Sequence, residues 1–327
     1  MQNNTSPPTK IHHIVIAGGG VSGLAAYGVL RKLHDAGRWN IQDIRSIYGT
    51  SIGAMLAVAL ALKYDFQTID DYIVQRPWHQ LFKYDIYSIF GAFERRGIFN
   101  ISIIDEIFSP LFKGADTSSP ISINTTLAEF YEITGIDIHM YSTEINAFVS
   151  VDISHKTHPD WRVVEAVYAS CCLPLFFSPL VKDGKYYVDG GIFLNYPLEP
   201  CISNLDQQCG GGSILGIRKK YKESENDKIG ENSNLMDYIM VLLNKTLMIV
   251  TKDVDINIDI DIDISTVVQE VVIDAAVISA VDLFKMVSSQ EFREQQIQEG
   301  CEMAVAYLGL DRDPIEPNPQ IEIECPS

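Results

Sequence analysis

Ile14-Val15-Ile16-Ala17-Gly18-Gly19-Gly20-Val21-Ser22-Gly23 is followed, one helix length later, by Ser46-Ile47-Tyr48-Gly49-Thr50-Ser51-Ile52-Gly53. The reading of these two stretches decides the fold. In each, a β-branched run meets a glycine turn and then an apolar segment. Ile11 to Ala17 is predicted as a buried strand, and Val21 to Ala36 as a helix closed by Gly37, with Leu24, Tyr27, Leu30 and Leu33 at helical spacing. Ile41 to Tyr48 is predicted as the second strand, Gly49 to Gly53 as a tight turn, and Ile52 to Lys63 as an apolar helix. A strand–turn–helix unit repeated in this way implies an α/β fold with a mostly parallel sheet and crossover helices.

The totals agree with one large globular domain: 327 residues, 46% of them hydrophobic. Twenty-five Lys and Arg against 43 Asp and Glu leave a net charge of −18. That balance argues against binding nucleic acid through its phosphates, and against general attraction to anionic membranes. No stretch reaches the ~18 apolar residues that a membrane span needs. The polar N-terminus, Met1 to Lys10, lacks the charged-then-apolar pattern of a signal peptide. A cytoplasmic location is expected, with peripheral contact to a membrane; delivery into a host cell would leave the same signature. The six cysteines form no Cys-x-x-Cys pair, so zinc and thioredoxin-type chemistry lack support and reduced thiols are expected.

Gly18 to Gly23 fits G-x-G-x-x-G between a strand and a helix, the context of a dinucleotide-binding turn. That reading requires an Asp or Glu at the end of the next strand, to hold a ribose. The next strand ends instead in Gly-Thr-Ser-Ile-Gly, and Asp43 lies at its beginning. The same backbone N–H groups could stabilise an oxyanion, or the turn could bind nothing. Ser51 sits where a nucleophilic serine belongs, in a sharp strand-to-helix turn between glycines, although a helix-capping serine would look similar.

A nucleophilic serine needs a base. The seven histidines fall at 12, 13, 34, 79, 139, 155 and 158, none of them late in the chain where a hydrolase triad would place one. Asp189 ends the predicted strand Lys185 to Val188 and precedes Gly190-Gly191. A carboxylate there can act as a base if an apolar cleft desolvates it, or can simply cap its own turn.

Taken in order, Gly18 to Gly23, Gly49 to Gly53 and Asp189 to Gly191 resemble the patatin-like phospholipase family. Ala169-Ser170-Cys171-Cys172-Leu173-Pro174 with Phe177 and Pro179, Tyr141 to Asn146, and Asn195 with Pro197 also match its blocks. The resemblance spans about residues 11–217. It implies a patatin-like three-layer α/β/α domain over 11–310, between a flexible leader (1–10) and a frayed tail (311–327). It also implies a Ser51–Asp189 dyad, with Ser51 as nucleophile and Asp189 as proton acceptor. Gly18, Gly19 and Gly20 would form the oxyanion hole, and Gly23, Gly49, Gly53, Gly190 and Gly191 would support the turns. The substrate would be a phospholipid or other acyl lipid at a membrane or micelle surface, and neither metal nor cofactor would be needed. A flavin- or nicotinamide-binding protein, and a catalytically weak lipid-binding member, are the alternatives. One departure is plain: many members carry Arg or Lys where this chain has Ser22.

Elsewhere, Ile136 to Val151 is predicted as strand and Trp161 to Ser170 as helix. A short strand is expected to end at Ile217, with a surface loop over 218–234. Helices are expected over Leu235 to Val250 and Val277 to Leu308. The Asp255 to Asp263 alternation reads as a solvated strand face rather than a calcium site. The aromatic stretch 78–99 reads as core, or as an interfacial cap. Arg95-Arg96 is too short for a phosphate site.

Overall fold

A computed structural model describes residues 10–83, 86–205, 214–221, 228–231, 233, 235–252, 267–275 and 279–309. The expected leader and frayed tail, and the Asp255 to Asp263 alternation, lie outside the described residues, apart from Lys10.

Ten strands are present among the described residues: β1 (His13–Ile16), β2 (Ser46–Thr50), β3 (Gly97–Phe99), β4 (Asp137–Glu144), β5 (Val149–Ile153), β6 (Leu175–Phe177), β7 (Leu180–Lys182), β8 (Lys185–Asp189), β9 (Ile214–Tyr221) and β10 (Val268–Ala275). Eight of them form the main sheet, in the order β10-β9-β1-β2-β4-β8-β7, with β5 also paired to β4. The run from β10 to β4 is parallel, whereas β5 and β8 pair antiparallel with β4 and β7 antiparallel with β8. β3 and β6 form a separate parallel pair.

The parallel strands are buried on both faces, as crossover connections require. Ile14, Ile16 and Ile47 enter the larger core together with helices α1 (Gly23–Asp35) and α2 (Ile52–Ala61). Val15 and Tyr48, on alternate positions, face the opposite way into a smaller core with Leu198, Cys201 and Ile202 of helix Leu198–Ser203. The result is the expected three-layer α/β/α arrangement. α2 is apolar nearly all round, which suits a helix enclosed between sheet and neighbours.

Four boundaries differ from the sequence expectation. Ile41–Asp43 is a 3₁₀ turn capped by the Asn40 side chain, so the second strand starts only at Ser46. Ile136 to Val151 divides into β4 and the start of β5, a hairpin with Phe148 at positive φ. Residues 218–221, expected as surface loop, continue β9, because Arg218 forms an ion pair at 2.7 Å with Glu270 on β10. The last helical region begins at Ala280 and divides into Ala280–Ser288 and Gln290–Leu308.

Within 78–99, Trp78, Phe82 and Phe99 pack against the core, whereas Phe93 is 88% exposed. The side chains of Tyr84, Tyr87 and Phe90 lie outside the described residues.

Candidate active site

The strand register explains how Ser51 and Asp189 meet. β5 runs along one edge of β4 from Met140 to Glu144. The other edge is shared: β2 occupies it up to the Thr50–Tyr141 pair, and β8, from the opposite direction, up to the Asp189–Ser142 pair. The two strand ends therefore face each other across adjacent positions of β4. Gly190 fits into this junction, where a side-chain carbon would stand 2.1 Å from Tyr141 O and 3.0 Å from Thr50 Cγ2.

Ser51 follows the end of β2 with φ 55° and ψ −124°, a conformation that costs a non-glycine residue of order 1–3 kcal/mol. Several contacts hold it there. Its N–H donates to Ser170 Oγ at 2.9 Å, and Ser170 Oγ donates to Tyr141 O at 2.6 Å. Its carbonyl accepts from Cys171 Sγ at 3.0 Å, and the preceding Thr50 hydroxyl donates to Leu194 O at 2.9 Å. Gly49 and Gly53 allow the tight turn: a side-chain carbon on Gly49 would meet Gly53 O at 2.4 Å, and one on Gly53 would meet Ile16 O at 2.4 Å. Gly23 is likewise closed in, by the Ile52 side chain.

Ser51 Oγ donates to Asp189 Oδ2 at 2.6 Å. The second carboxylate oxygen accepts the Gly191 N–H at 2.8 Å. Asp189 is buried, with 5% of its surface exposed, and no cation pairs with it among the described residues. Burial raises its pKa from 3.8 to about 6, against the opposing hydrogen bonds from Ser51 and Gly191. No histidine among the described residues lies within hydrogen-bond reach of Ser51 Oγ. His139 lies lower on β4, stacked on Tyr48 at 4.3 Å.

The glycine loop lies against the serine turn, where a side-chain carbon on Gly18 would stand 3.2 Å from Ser51 Cβ. The three glycines are not equivalent. Gly18 N–H donates to Asn195 O at 2.9 Å, and Gly18 O accepts from Asn195 Nδ2 at 3.2 Å. Gly18 is thereby joined to the segment after Asp189, and its N–H is not available to an oxyanion. Among the described residues, the N–H groups of Gly19 and Gly20 have no protein acceptor. A cleft of about 390 Å³ opens along Val188, Tyr186, Phe177, Pro179 and Arg96, and neither Ser51 nor Asp189 lines it. No group of side chains suited to hold a metal ion occurs among the described residues.

The model of the patatin-like phospholipase family matches residues 14–202, which is more than half of the chain. The chain belongs to the patatin-like phospholipase family. The match takes in the glycine loop, the serine turn and the Asp-Gly-Gly segment. An uncharacterized protein of Acanthamoeba polyphaga mimivirus is 24% identical over 213 residues, 64% of this chain and 69% of that protein. A probable lipid hydrolase of Invertebrate iridescent virus 6 is 24% identical over 200 residues, 60% of this chain and 64% of that protein. Among solved structures, VipD from Legionella pneumophila is similar in fold, with a TM-score of 0.50 and 18% identity, over 93% of this chain and 67% of that one. No helix among the described residues is long and apolar enough to cross a membrane.

The residue that sequence reasoning missed is Lys219. It lies on the part of β9 expected to be surface loop, and its Nζ donates to Gly19 O at 3.3 Å. No motif spacing links it to residue 19.

Proposed function

We propose that this patatin-like protein is a serine acyl hydrolase that cleaves carboxylic ester bonds of phospholipids or other acyl lipids. The observation that carries the reading is the 2.6 Å hydrogen bond from Ser51 Oγ to a buried Asp189 carboxylate with no histidine between them. Asp189 accepts the Ser51 proton as Oγ forms a bond to the ester carbonyl carbon. The N–H groups of Gly19 and Gly20 receive the charge that develops on the carbonyl oxygen. Collapse of the intermediate breaks the ester C–O bond, and the leaving alkoxide takes the proton from Asp189. A water molecule then attacks the acyl-serine, giving its proton to Asp189, and free acid leaves as Ser51 Oγ is reprotonated. The raised pKa suits Asp189 to this exchange, because a carboxylate of pKa about 6 is a stronger base than one in water yet is mostly ionised at pH 7.

Hydrolysis of p-nitrophenyl acyl esters by wild type, Ser51→Ala and Asp189→Asn tests the reading. Each substitution should lower kcat by ~10³-fold or more, as expected when a nucleophile or its base is removed. Full activity in Asp189→Asn would refute the dyad, and full activity in Ser51→Ala would refute serine catalysis.

A further inference from the structure

Three donors converge on one carbonyl of the glycine loop. Gly19 O accepts from Ser22 N at 3.3 Å, from Ser22 Oγ at 2.9 Å and from Lys219 Nζ at 3.3 Å. The peptide from Gly19 to Gly20 is trans, so its C=O and N–H point in opposite directions. Whatever fixes the Gly19 carbonyl therefore also fixes the direction of the Gly20 N–H. We propose that Lys219 is a positioning residue for the oxyanion loop: its ammonium, reaching in from the overhanging end of β9, holds the Gly19 carbonyl turned away so that the Gly20 N–H stays aimed at the reacting carbonyl.

The fold is built to bring this side chain to the loop. β9 pairs with β1 only as far as Ile16–Ile217, with Ala17 N–H adding one more bond to Ile217 O. Beyond that point β1 has become the glycine loop, and β9 continues alone to Tyr221. β10 supports the overhang, pairing Ile273 with Lys219 and Ala275 with Tyr221. The stem of Lys219 fills the space where Gly19 lacks a side chain: a carbon there would stand 2.9 Å from Lys219 Cδ. The ammonium also lies 4.4 Å from the Tyr221 ring centroid, on the same face of the strand two residues on.

Among the described residues no carboxylate pairs with Lys219, although the chain carries a large excess of acidic groups. Lys219 is half-buried, and an ammonium held there without an acidic partner is costly. Burial lowers its pKa to about 7, and an amine in either protonation state still offers an N–H to Gly19 O. The chain thus keeps an unpaired cation where it contacts the glycine loop. Ser22 cannot reproduce this hold, because its hydroxyl belongs to the same short turn and moves with it.

The inference rests on the reading of the Gly20 N–H as an oxyanion donor, and the experiment separates the two. Lys219→Met keeps the aliphatic stem against Gly19 and removes the ammonium. With p-nitrophenyl butyrate, its kcat should fall ~10- to 100-fold, a part of the loss seen when an oxyanion donor is deleted, while KM stays within ~2-fold. Lys219→Arg should recover most of kcat, which a packing defect would not explain. Since Ser22 and Lys219 hold the same atom, Ser22→Ala combined with Lys219→Met should lose more than the product of the single losses. An unchanged kcat in folded Lys219→Met, a loss confined to KM, or no recovery in Lys219→Arg would overturn the inference while the Ser51 and Asp189 variants still stand. Activity retained in Ser51→Ala would overturn the underlying reading and the inference with it.

Discussion

Asp189 and Asp137 are carboxylates on neighbouring strands of one sheet, and their surroundings drive them in opposite directions. Asp189, at the C-terminal end of β8, has a serine hydroxyl and one backbone N–H as partners, and burial raises its pKa to about 6. Asp137 opens β4 at the other end of the sheet. Burial would raise its pKa too, but His139 and Lys156 outweigh it and hold the carboxyl well below the usual range. Lys156 Nζ lies 2.7 Å away, His155 Nδ1 3.0 Å and His139 Nε2 3.2 Å, and neither histidine is aligned for a hydrogen bond to it. His139 also donates through Nδ1 to Asp152 at 2.8 Å. Burial works against its charge, yet Asp137 and Asp152 raise its pKa to about 9. A carboxylate ringed by cationic groups in this way cannot take up a proton near neutral pH and serves to hold β4, β5 and the 155–156 loop together. A buried carboxylate with hydrogen bonds but no cation beside it can take up a proton, and the protein meets the cost of leaving it so.

The largest effect that could break this comparison concerns catalysis. Asp189→Asn should remove activity, whereas Asp137→Asn should leave kcat within ~3-fold in the folded protein, because Asp137 touches no reacting group. An equal loss in both would mean that the two carboxylates are not separate in function.

Stability should respond in the reverse sense. Asp137→Asn leaves His139 and Lys156 short of an anion, and should destabilise the fold by ~2–3 kcal/mol in urea unfolding at pH 6. The raised pKa of His139 gives its charged form a stabilising role that is complete below pH 6.5 and is lost as pH rises through 9. The cost of Asp137→Asn should therefore shrink toward pH 9. Asp189→Asn should instead stabilise the protein at pH 7.5, by ~3 kcal/mol, because burial lifts the folded pKa from 3.8 to about 6. The sign follows from linkage. With a folded pKa above the unfolded value, Asp189 binds its proton more tightly in the native state, and that advantage is lost as pH rises from 3.8 through 6. At pH 3 the gain should vanish. Destabilisation by Asp189→Asn at pH 7.5 would mean that burial does not disfavour the ionised carboxylate as described.

How much of this could be read from the chain depends on how its pieces are spaced. The glycine loop, the serine turn and Asp189-Gly-Gly are short contiguous motifs, because each is one turn at the end of one strand, and a turn imposes its demands on adjacent residues. Ser170 and Asn195 fell inside matching blocks, although nothing in their spacing assigned Ser170 Oγ to the Ser51 N–H. The Asp137–His139–Asp152 cluster and the Lys219–Gly19 contact are assembled from separate strands, so no local pattern announces them. The continuation of β9 past Ile217, and β10, are not legible for a related reason. Arg218 and Lys219 interrupt the apolar pattern and suggest a loop, until the ion pair between Arg218 and Glu270 and the packing of Lys219 account for them. Sequence alone does not separate Gly18 from Gly19 and Gly20 as a donor, because it does not tell which N–H a later segment, here Asn195, takes.

The smallest expected effect sharpens the comparison most. The activity of wild type should rise with pH through about 6 as Asp189 ionises, since only the carboxylate can accept the serine proton. Asp137 sits level with the start of β4 and Asp189 level with Ser142, so the two lie ~16 Å apart at ~3.3 Å per residue. Over that distance, partly screened by salt, one charge acts on another by well under ~1 kcal/mol. Removing the Asp137 charge in Asp137→Asn takes away a distant repulsion and should move the acid limb to lower pH, by less than ~0.5 unit. A shift to higher pH, or one larger than a full unit, would mean that β4 transmits a structural change from the ion cluster to the dyad. The stability of one carboxylate would then help to set the basicity of the other.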